Sequence, residues 1–345
     1  MEKGQFTRQE IFSQPEAWAA ALKVLEAKRQ DILALSPERH FEHILYTGCG
    51  STYYLAMAAA AQCQQLTGMA CRAFPASELW LNPSSSYAPR KTLLVAISRS
   101  GETTETLQAC GSFLEDKRGT LLTLSCYDQM PLARMGTLNM ILPSGQEQSV
   151  AQTRAFSTLY LSTLALTFLW AGRTDLFTSL SELPEAGRKV IDMAAPIASD
   201  IGSDASIDRF YWLGSGARYG LAAELSLKMK EMSLTHSEPF HFLEFRHGPK
   251  SMVTGSTCVI GLQSTVNRKY ESAVLADMQT LGGRVVELSQ VGGLDRFVPG
   301  MDESMRSALY LPVGQLIAFY RSQSKGLDPD LPNNLDAVVK LSGGA

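Results

Sequence analysis

The second half of the chain repeats the first half at three places, in the same order along the sequence. ILYTGCGSTYYLA at 44–56 matches FYWLGSGARYGLA at 210–222, and GTLLTLSC at 119–126 matches GRVVELSQ at 283–290. LNMILPSG at 138–145 matches SALYLPVG at 307–314, and an apolar helix is predicted after each. Continuous apolar strands that alternate with helices are typical of parallel sheets covered on both faces. The repeat therefore predicts an α/β protein built from two diverged copies of one lobe.

Helical and loop segments divide the chain into five predicted parts. A helical lead-in covers residues 1–40, with an amphipathic helix predicted over 16–35, and the first lobe covers 41–175. A helical link spans 183–204, and its helix is predicted over 183–199 after a Ser-Glu-Leu-Pro start. The second lobe covers 205–325. The tail, 326–345, is rich in Pro and Asp, and we expect it to end in one short apolar strand.

Composition excludes several classes of partner. The formal charge of −3 gives no electrostatic basis for binding nucleic acid or an anionic membrane, so any phosphate site must be local. The N-terminal residues have no apolar signal segment, and the apolar stretch 156–171 is short for a membrane span and predicts a buried helix. We expect a cytoplasmic protein. The six cysteines lie in apolar runs without a CxxC pair, which favours reduced core residues over a disulfide frame or a zinc site.

A candidate phosphate loop follows the strand predicted over 92–97. Its sequence is SRSGETT, residues 98–104, and a helix follows directly. Hydroxyls and a glycine at a strand-to-helix turn suit a phosphate monoester, because the helix N-terminus presents N–H groups and a positive dipole end. The same residues also suit ordinary helix capping, and spacing alone does not separate the two. Thr52, in the GCGST turn after the first strand, is placed to add a hydroxyl to the same anion.

Two common nucleotide motifs are absent. The Walker spacing is missing, and neither G-x-G turn continues to the third glycine of a dinucleotide fingerprint. The corresponding loop of the second lobe, GLQSTVNRKYE, lacks the Ser-x-Ser-Gly-x-Thr pattern. These observations predict one functional phosphate site rather than two.

Candidate acid and base residues lie in the second lobe. Glu224, Lys228 and Glu231 fall at i, i+4 and i+7 of a predicted helix and share one face. Such a row is either a solvated salt-bridge stripe or a carboxylate held beside a lysine for proton transfer. His247 precedes Gly248-Pro249, which predicts an imidazole at a loop tip, and the alternative is a satisfied surface or core histidine. The histidine spacing assigns no metal, and no cofactor is required.

Together the motifs resemble the SIS (sugar isomerase) domain family. The resemblance rests on GCGST, ISRSGETTET, EQSVAQTRAFST and LSLKMKEMSLTHSEPFHFLEFRHGPK, in this order, and covers about residues 43–341. The pattern is most similar to the double-SIS isomerase half of glucosamine-6-phosphate synthase and to stand-alone amino-sugar-phosphate deaminases and tagatose-phosphate ketose/aldose isomerases. The resemblance implies two tandem SIS lobes, each a parallel sheet flanked by helices in a flavodoxin-like or Rossmann-like three-layer sandwich.

The resemblance also implies roles for individual residues. Those that match the family's phosphate-binding positions are Thr52, Ser98, Arg99, Ser100 and Thr103. Those that would edge the sugar are Glu147, Ser149, Val150, Ala151 and Thr153. Glu231 matches the carboxylate that moves a proton between C1 and C2, and Lys228 matches the lysine beside it. His247 matches the ring-opening histidine, which in this family reaches the neighbouring subunit's site and so implies a homodimer with the site at the subunit interface.

Two departures from the synthase pattern shape the functional hypothesis. The chain opens with Met1-Glu2 rather than a glutaminase with a cysteine nucleophile, and Ala337 stands where the synthase has a tail lysine, with Lys340 three residues later. We therefore expect no glutamine-dependent synthesis. The hypothesis is an isomerase or deaminase that converts glucosamine 6-phosphate or an epimer to the ketose phosphate and ammonia. The alternatives are a fructosamine-6-phosphate deglycase and a non-catalytic sugar-phosphate sensor.

Overall fold

A computed structural model describes residues 2–88, 91–289 and 300–339. Its strands are β1 (His43–Gly48), β2 (Ala70–Pro75), β3 (Thr92–Ser98), β4 (Gly119–Ser125), β5 (Leu138–Ile141), β6 (Arg209–Gly214), β7 (His236–Phe240), β8 (Thr257–Leu262) and β9 (Arg284–Leu288). They form one parallel sheet in the order β2-β1-β3-β4-β5 and a second in the order β7-β6-β8-β9. The shared order confirms the predicted fold class and the internal repeat of lobes.

Helices connect the parallel strands. In chain order they are α1 (Gln5–Phe12), α2 (Gln14–Ala27), α3 (Arg29–Ala34), α4 (Pro37–His40), α5 (Ser51–Thr67), α6 (Ala76–Leu81), α7 (Pro83–Ser86), α8 (Thr104–Glu115), α9 (Arg154–Trp170), α10 (Thr174–Ser179), α11 (Leu183–Ser203), α12 (Ala217–Ser233), α13 (Arg268–Thr280), α14 (Glu303–Arg306) and α15 (Tyr310–Ser324). Parallel strands require such crossover connections, since a tight hairpin joins only antiparallel neighbours.

The chain divides into two compact units. The first-sheet unit consists of Glu16–Glu147, Arg154–Ser181 and Asp336–Ala345. The second-sheet unit consists of Met1–Pro15, Gln148–Thr153 and Glu182–Leu335. Each unit therefore contains one parallel sheet with its own helices.

The first sheet lies in the core of its unit. β1 and β3 are buried along their whole length, as expected of central parallel strands covered on both faces. Leu45, Leu94 and Leu121 from three strands pack with Leu79 of α6 and Phe113 of α8. α9 is buried from residue 155 to residue 170, which confirms the buried helix predicted for the apolar stretch. In the part of the chain that is described, no helix is long and apolar enough to cross a membrane.

The second sheet is organised in the same way. Tyr211, Leu213 and Val259 of β6 and β8 pack with Val274 and Met278 of α13. α12 packs against β6, β7 and α15. This packing buries most of the helix that carries the candidate acid and base residues.

Two local predictions are wrong. The third repeat forms β5 in the first lobe, but 307–309 is a 3₁₀ turn and 310–324 is α15. A short apolar run buried on all sides fits a strand or a helix equally, and the repeat could not separate them. The helix predicted over 16–35 is interrupted at Lys28, which has non-helical backbone angles. The strand predicted at the end of the tail lies partly outside the described residues, as Lys340 does, and residues 326–339 contain no strand.

Candidate functional site

The candidate phosphate loop, residues 98–104, lies at the switch point of the first sheet. The chain passes from β1 to β2 on one side and returns to β3 on the other, so the crevice for a ligand opens between the carboxyl ends of β1 and β3. The loop between β3 and α8 lies at one of these ends, and the turn between β1 and α5 lies at the other. Gly101 has φ +74°, a backbone conformation that glycine adopts without steric cost, and this lets the loop turn into the helix.

Three predicted hydroxyls converge in this loop. Thr103 Oγ1 lies 3.3 Å from Ser98 Oγ and 3.5 Å from Ser100 Oγ. The two serines also accept hydrogen bonds from the loop itself, at 3.1 Å from the Gly101 N–H and 3.3 Å from the Glu102 N–H. Thr103 is the N-cap residue of α8, but its side chain makes no capping hydrogen bond. The cluster therefore offers hydroxyl donors beside a helix N-terminus, which is the chemistry of a phosphate site.

The Thr52 hydroxyl makes hydrogen bonds within its own turn. Its hydroxyl accepts from the Cys49 N–H at 2.9 Å and donates to the Cys49 carbonyl at 2.9 Å. Its side chain also blocks any substituent on Gly48, where an added Cβ would lie 2.5 Å from Thr52 Oγ1. Thr52 thus shapes the turn at the switch point, and its contact with an anion stays a prediction.

Arg99 and Glu147, predicted for phosphate and sugar respectively, form an ion pair. Arg99 Nη1 lies 3.2 Å from Glu147 Oε2, and both side chains are buried, at 7% and 0% exposure. The other guanidinium nitrogen donates to the Ala337 carbonyl at 3.0 Å, and Glu147 Oε1 accepts from the Ala155 N–H at 3.0 Å. The charge of Arg99 is therefore balanced by a buried carboxylate, and its guanidinium also contacts the backbone of Ala337, the residue that stands where the synthase pattern has a lysine.

The segment 148–151 belongs to the second-sheet unit and is held by α1. The Glu10 carboxylate accepts from the Gln148 N–H at 2.6 Å, from the Ser149 N–H at 3.3 Å and from the Ser149 hydroxyl. Ser149 Oγ also lies 3.0 Å from the Ala151 carbonyl oxygen. Ser149 and Ala151 are buried, whereas Val150 is half-buried and its N–H donates to the Asp330 carbonyl at 3.0 Å. Sequence patterns could not reveal Glu10, because its partners lie 138 and 139 residues away.

The charged row of α12 is buried rather than solvated. Lys228 and Glu224 have side chains that are 1% and 0% exposed, and Lys228 Nζ lies 3.4 Å from Glu224 Oε1. Lys228 also pairs with Glu231, whose side chain is 18% exposed. Interpreting the row as a solvated stripe is therefore wrong. A lysine buried between two carboxylates leaves only Glu231 with access to water, which is the arrangement expected of a proton-transfer carboxylate.

His247 lies at a loop tip, as its Gly-Pro successor predicts. It is exposed and separates the short 3₁₀ turns Glu244–Arg246 and Pro249–Met252. Gly248 has φ +116°, which permits the sharp change of direction after the imidazole. The structure thus brings Lys228 and Glu231 together on α12 and places His247 on a separate loop of the same unit.

Metal and thiol chemistry have little support in the described residues. Among them, no group of three or more His, Cys, Asp or Glu side chains is arranged to hold a metal ion. All six cysteines are free; five are buried and Cys49 is half-buried. Burial raises the pKa of the Cys49 thiol, although a hydrogen bond from Thr106 opposes the shift. Cys49 is therefore a poor nucleophile despite its place in the switch-point turn.

Comparisons with known proteins agree with this architecture. The sequence profile of the SIS domain matches residues 39–169 and 205–290. The chain is 28% identical over 371 residues to the isomerizing glutamine–fructose-6-phosphate aminotransferase of Idiomarina loihiensis, covering 98% of this chain and 60% of that protein. Against three such curated relatives, the chain spans between 52% and 60% of their length.

Solved structures of two sugar-phosphate enzymes are also similar to this chain. Glucosamine-6-phosphate deaminase from Thermotoga maritima has a TM-score of 0.79 and 27% identity, covering 93% of this chain and 100% of that one. Tagatose-6-phosphate ketose/aldose isomerase from Escherichia coli has a TM-score of 0.86 and 23% identity, covering 95% of each chain. The second likeness establishes the fold alone.

Proposed function

The chain belongs to the SIS domain family, and from this premise we propose that it converts an amino-hexose 6-phosphate to the ketose phosphate and ammonia. Glucosamine 6-phosphate or an epimer is the proposed substrate. The observation that carries the proposal is the buried ionic row of α12, in which Glu231 alone reaches water. The likeness to a glucosamine-6-phosphate deaminase supports the choice of reaction.

The proposed phosphate site is the hydroxyl cluster of Ser98, Ser100 and Thr103. Hydroxyl and backbone donors at the start of α8 bind a phosphate monoester without a lysine, because the helix dipole contributes positive potential. Binding at this end of the substrate is remote from the reacting carbons. Its free energy therefore supports positioning of C1 and C2 rather than the chemistry itself.

The proposed chemistry is proton transfer by Glu231. After His247 assists ring opening, Glu231 removes the proton from C2 of the open-chain aldose. The electron pair of the C–H bond forms a C1–C2 double bond while the aldehyde oxygen takes a proton from solvent, which gives the enolamine. Glu231 then returns its proton to C1 while the amine nitrogen loses a proton to solvent, which gives a ketimine at C2. Water adds to the ketimine carbon, and ammonia leaves as the ketose carbonyl forms. The ion pair with Lys228 fixes the direction of the Glu231 carboxylate.

A glutamine-independent reaction is part of the proposal. Ala337 stands where the synthase pattern has its tail lysine, and its carbonyl accepts a hydrogen bond from Arg99. The same observation favours a second candidate, a fructosamine-6-phosphate deglycase, which would release an amine in place of ammonia. A sensor without catalysis remains the third reading, and turnover separates it from the other two.

The first test measures ammonia and fructose 6-phosphate released from glucosamine 6-phosphate. We expect equal rates for both products, and we expect Glu231→Gln to abolish turnover while sugar phosphate still raises the melting temperature. Glu185→Gln removes an exposed carboxylate from α11 and serves as the matched control. Comparable activity in Glu231→Gln would refute the role of this residue. If glucosamine 6-phosphate raises the melting temperature but no product forms, the proposed substrate is wrong, and fructosamine phosphates are assayed next.

We also propose a homodimer with shared sites; the support is that His247 matches the family's ring-opening histidine, which reaches the neighbouring subunit's site. Glu231→Gln and His247→Asn should each be inactive alone. When the two variants are mixed and reassociated, activity should return. In a mixed dimer, one of the two sites takes native Glu231 from one subunit and native His247 from the other. Absence of recovery in a sample that sedimentation shows to contain mixed dimers would contradict the shared site.

A further inference from the structure

The second sheet has its own switch-point crevice. The chain passes from β6 to β7 and returns to β8, so the crevice opens between the turn that starts α12 and the loop that follows β8. These are the same two places that form the phosphate site in the first lobe. The second lobe lacks the serine-rich motif. It nevertheless repeats the arrangement that favours an anion, in which a strand-to-helix turn and the loop after the neighbouring strand meet at the switch point.

A cation replaces a hydroxyl in this second crevice. In the aligned repeats, GCGST of the first lobe corresponds to GSGAR of the second, so Arg218 takes the position of Thr52. A second guanidinium comes from Arg306 of α14, which is 2% exposed and donates to Thr265 Oγ1 at 3.0 Å. Two arginines beside a strand-to-helix loop are the donor set that phosphate groups favour.

The chain supplies its own anion to these donors. The Glu303 carboxylate pairs with Arg218 and accepts from the Thr265 N–H at 2.9 Å. It reaches Arg218 across 85 residues of sequence and Thr265 across 38, so this is a tertiary contact and not local capping. The next loop N–H, that of Ser264, donates to Glu271 at 2.6 Å. Both loop amides therefore already bind carboxylate oxygens.

The two carboxylates differ in how readily they can leave. Glu271 is 2% exposed and belongs to the first turn of α13, and burial raises the pKa of its carboxyl group. Glu303 has a side chain that is 23% exposed and lies in the four-residue helix α14, so rotation of its side chain returns the carboxylate to water. When Glu303 leaves, Arg218 and the Thr265 N–H lose their anion together.

We propose that the second lobe contains a self-occupied anion site for phosphate monoesters or free phosphate, with Glu303 as its resident ligand. An incoming phosphate displaces Glu303 and binds Arg218, the Thr265 N–H and the loop after β8. Glu303 thus acts as a tethered competitor that weakens the site in the native protein. The site is separate from the proposed phosphate loop and does not depend on the proposed reaction.

The test begins from a variant that lacks the first-lobe hydroxyls, carrying Ser98→Ala, Ser100→Ala and Thr103→Val. Binding of inorganic phosphate is measured by ³¹P line broadening and by the shift in melting temperature, at ionic strength matched with chloride. Adding Glu303→Gln should tighten phosphate binding by roughly tenfold or more, since a tethered carboxylate competes at an effective concentration in the millimolar range. Adding Arg218→Met should then abolish it.

The outcomes decide the proposal directly. Unchanged phosphate binding after Glu303→Gln, or binding that persists after Arg218→Met, would overturn it. If Glu303→Gln does not fold, Arg218→Met is tested in the parent variant instead, where loss of the residual phosphate response supports the site and its retention refutes it. Glucose 6-phosphate as a second probe distinguishes a phosphomonoester site, which responds to both compounds, from a site for free phosphate alone.

Discussion

Removing the buried cation of α12 should destabilise the second-sheet unit strongly. Lys228→Met leaves Glu224, which is 0% exposed, without the ammonium that lies 3.4 Å from its carboxylate. At an effective dielectric constant of about 20, two unit charges at that separation attract by about 5 kcal/mol. Removing one partner of a buried ion pair typically costs about 3–5 kcal/mol. The Coulomb energy and this typical cost therefore agree.

The assay is urea unfolding of the second-sheet unit in the intact chain, with a thermal scan beside it. A loss of about 3–5 kcal/mol corresponds to a fall in melting temperature of roughly 6–20 °C for a unit of this size. The matched control is Lys189→Met on α11, where an exposed lysine lies 3.5 Å from Glu185 and should contribute less than about 1 kcal/mol.

A double variant separates the charge from the packing. Glu224→Gln with Lys228→Met removes the stranded carboxylate, so it should be more stable than Lys228→Met alone by at least about 1 kcal/mol. A loss below about 1 kcal/mol in Lys228→Met would refute the reasoning. That result would mean that water reaches the row and that Glu231 is not held by a desolvated lysine.

Three further predictions concern other contacts. Partial burial lowers the pKa of His241 below its ordinary 6.5, so the unfolded chain binds the proton more readily than the folded chain. Stability should therefore fall as the pH drops below about 6.5, and His241→Gln should flatten this dependence in thermal scans between about pH 5 and 8. Arg99→Met removes the cation that balances the buried Glu147 and should cost about 3–5 kcal/mol in urea unfolding, whereas Arg99→Lys should cost less. Glu10→Gln weakens the anchor of Ser149 and should cost about 1.5–3 kcal/mol; if that segment edges the sugar, KM should rise more than kcat falls.

The architecture was predictable because its signals are local. An apolar strand followed by a G-x-G turn and a helix specifies one crossover unit, and two such units in matching order indicate two parallel sheets. The third repeat misled because 307–314 is buried on nearly every side, and such a run carries no period that separates strand from helix. Buried runs bounded by clear turn signals were predicted correctly, as for β1 and β3, whereas 307–314 has no such boundary between its two possible structures.

The site was only partly predictable, because its decisive contacts are distant in sequence. Spacing placed Glu224, Lys228 and Glu231 on one face, but an exposed stripe has the same spacing. The packing of α12 against β6, β7 and α15 decides that the row is buried, and no local pattern reports this. Glu10 and Glu303 were missed for the same reason, since each binds a loop far away along the chain.

The most direct test of the central claim is hydrogen exchange at the reacting carbons in D₂O. Purified protein is incubated with glucosamine 6-phosphate, or in the reverse direction with fructose 6-phosphate and ammonium, and deuterium at C1 and C2 is followed by NMR. We expect loss of the C2 proton at a rate that Glu231→Gln abolishes and Glu185→Gln leaves unchanged. Retention of every C1 and C2 hydrogen while the sugar phosphate demonstrably binds would refute proton transfer by Glu231 and would identify a binding protein instead.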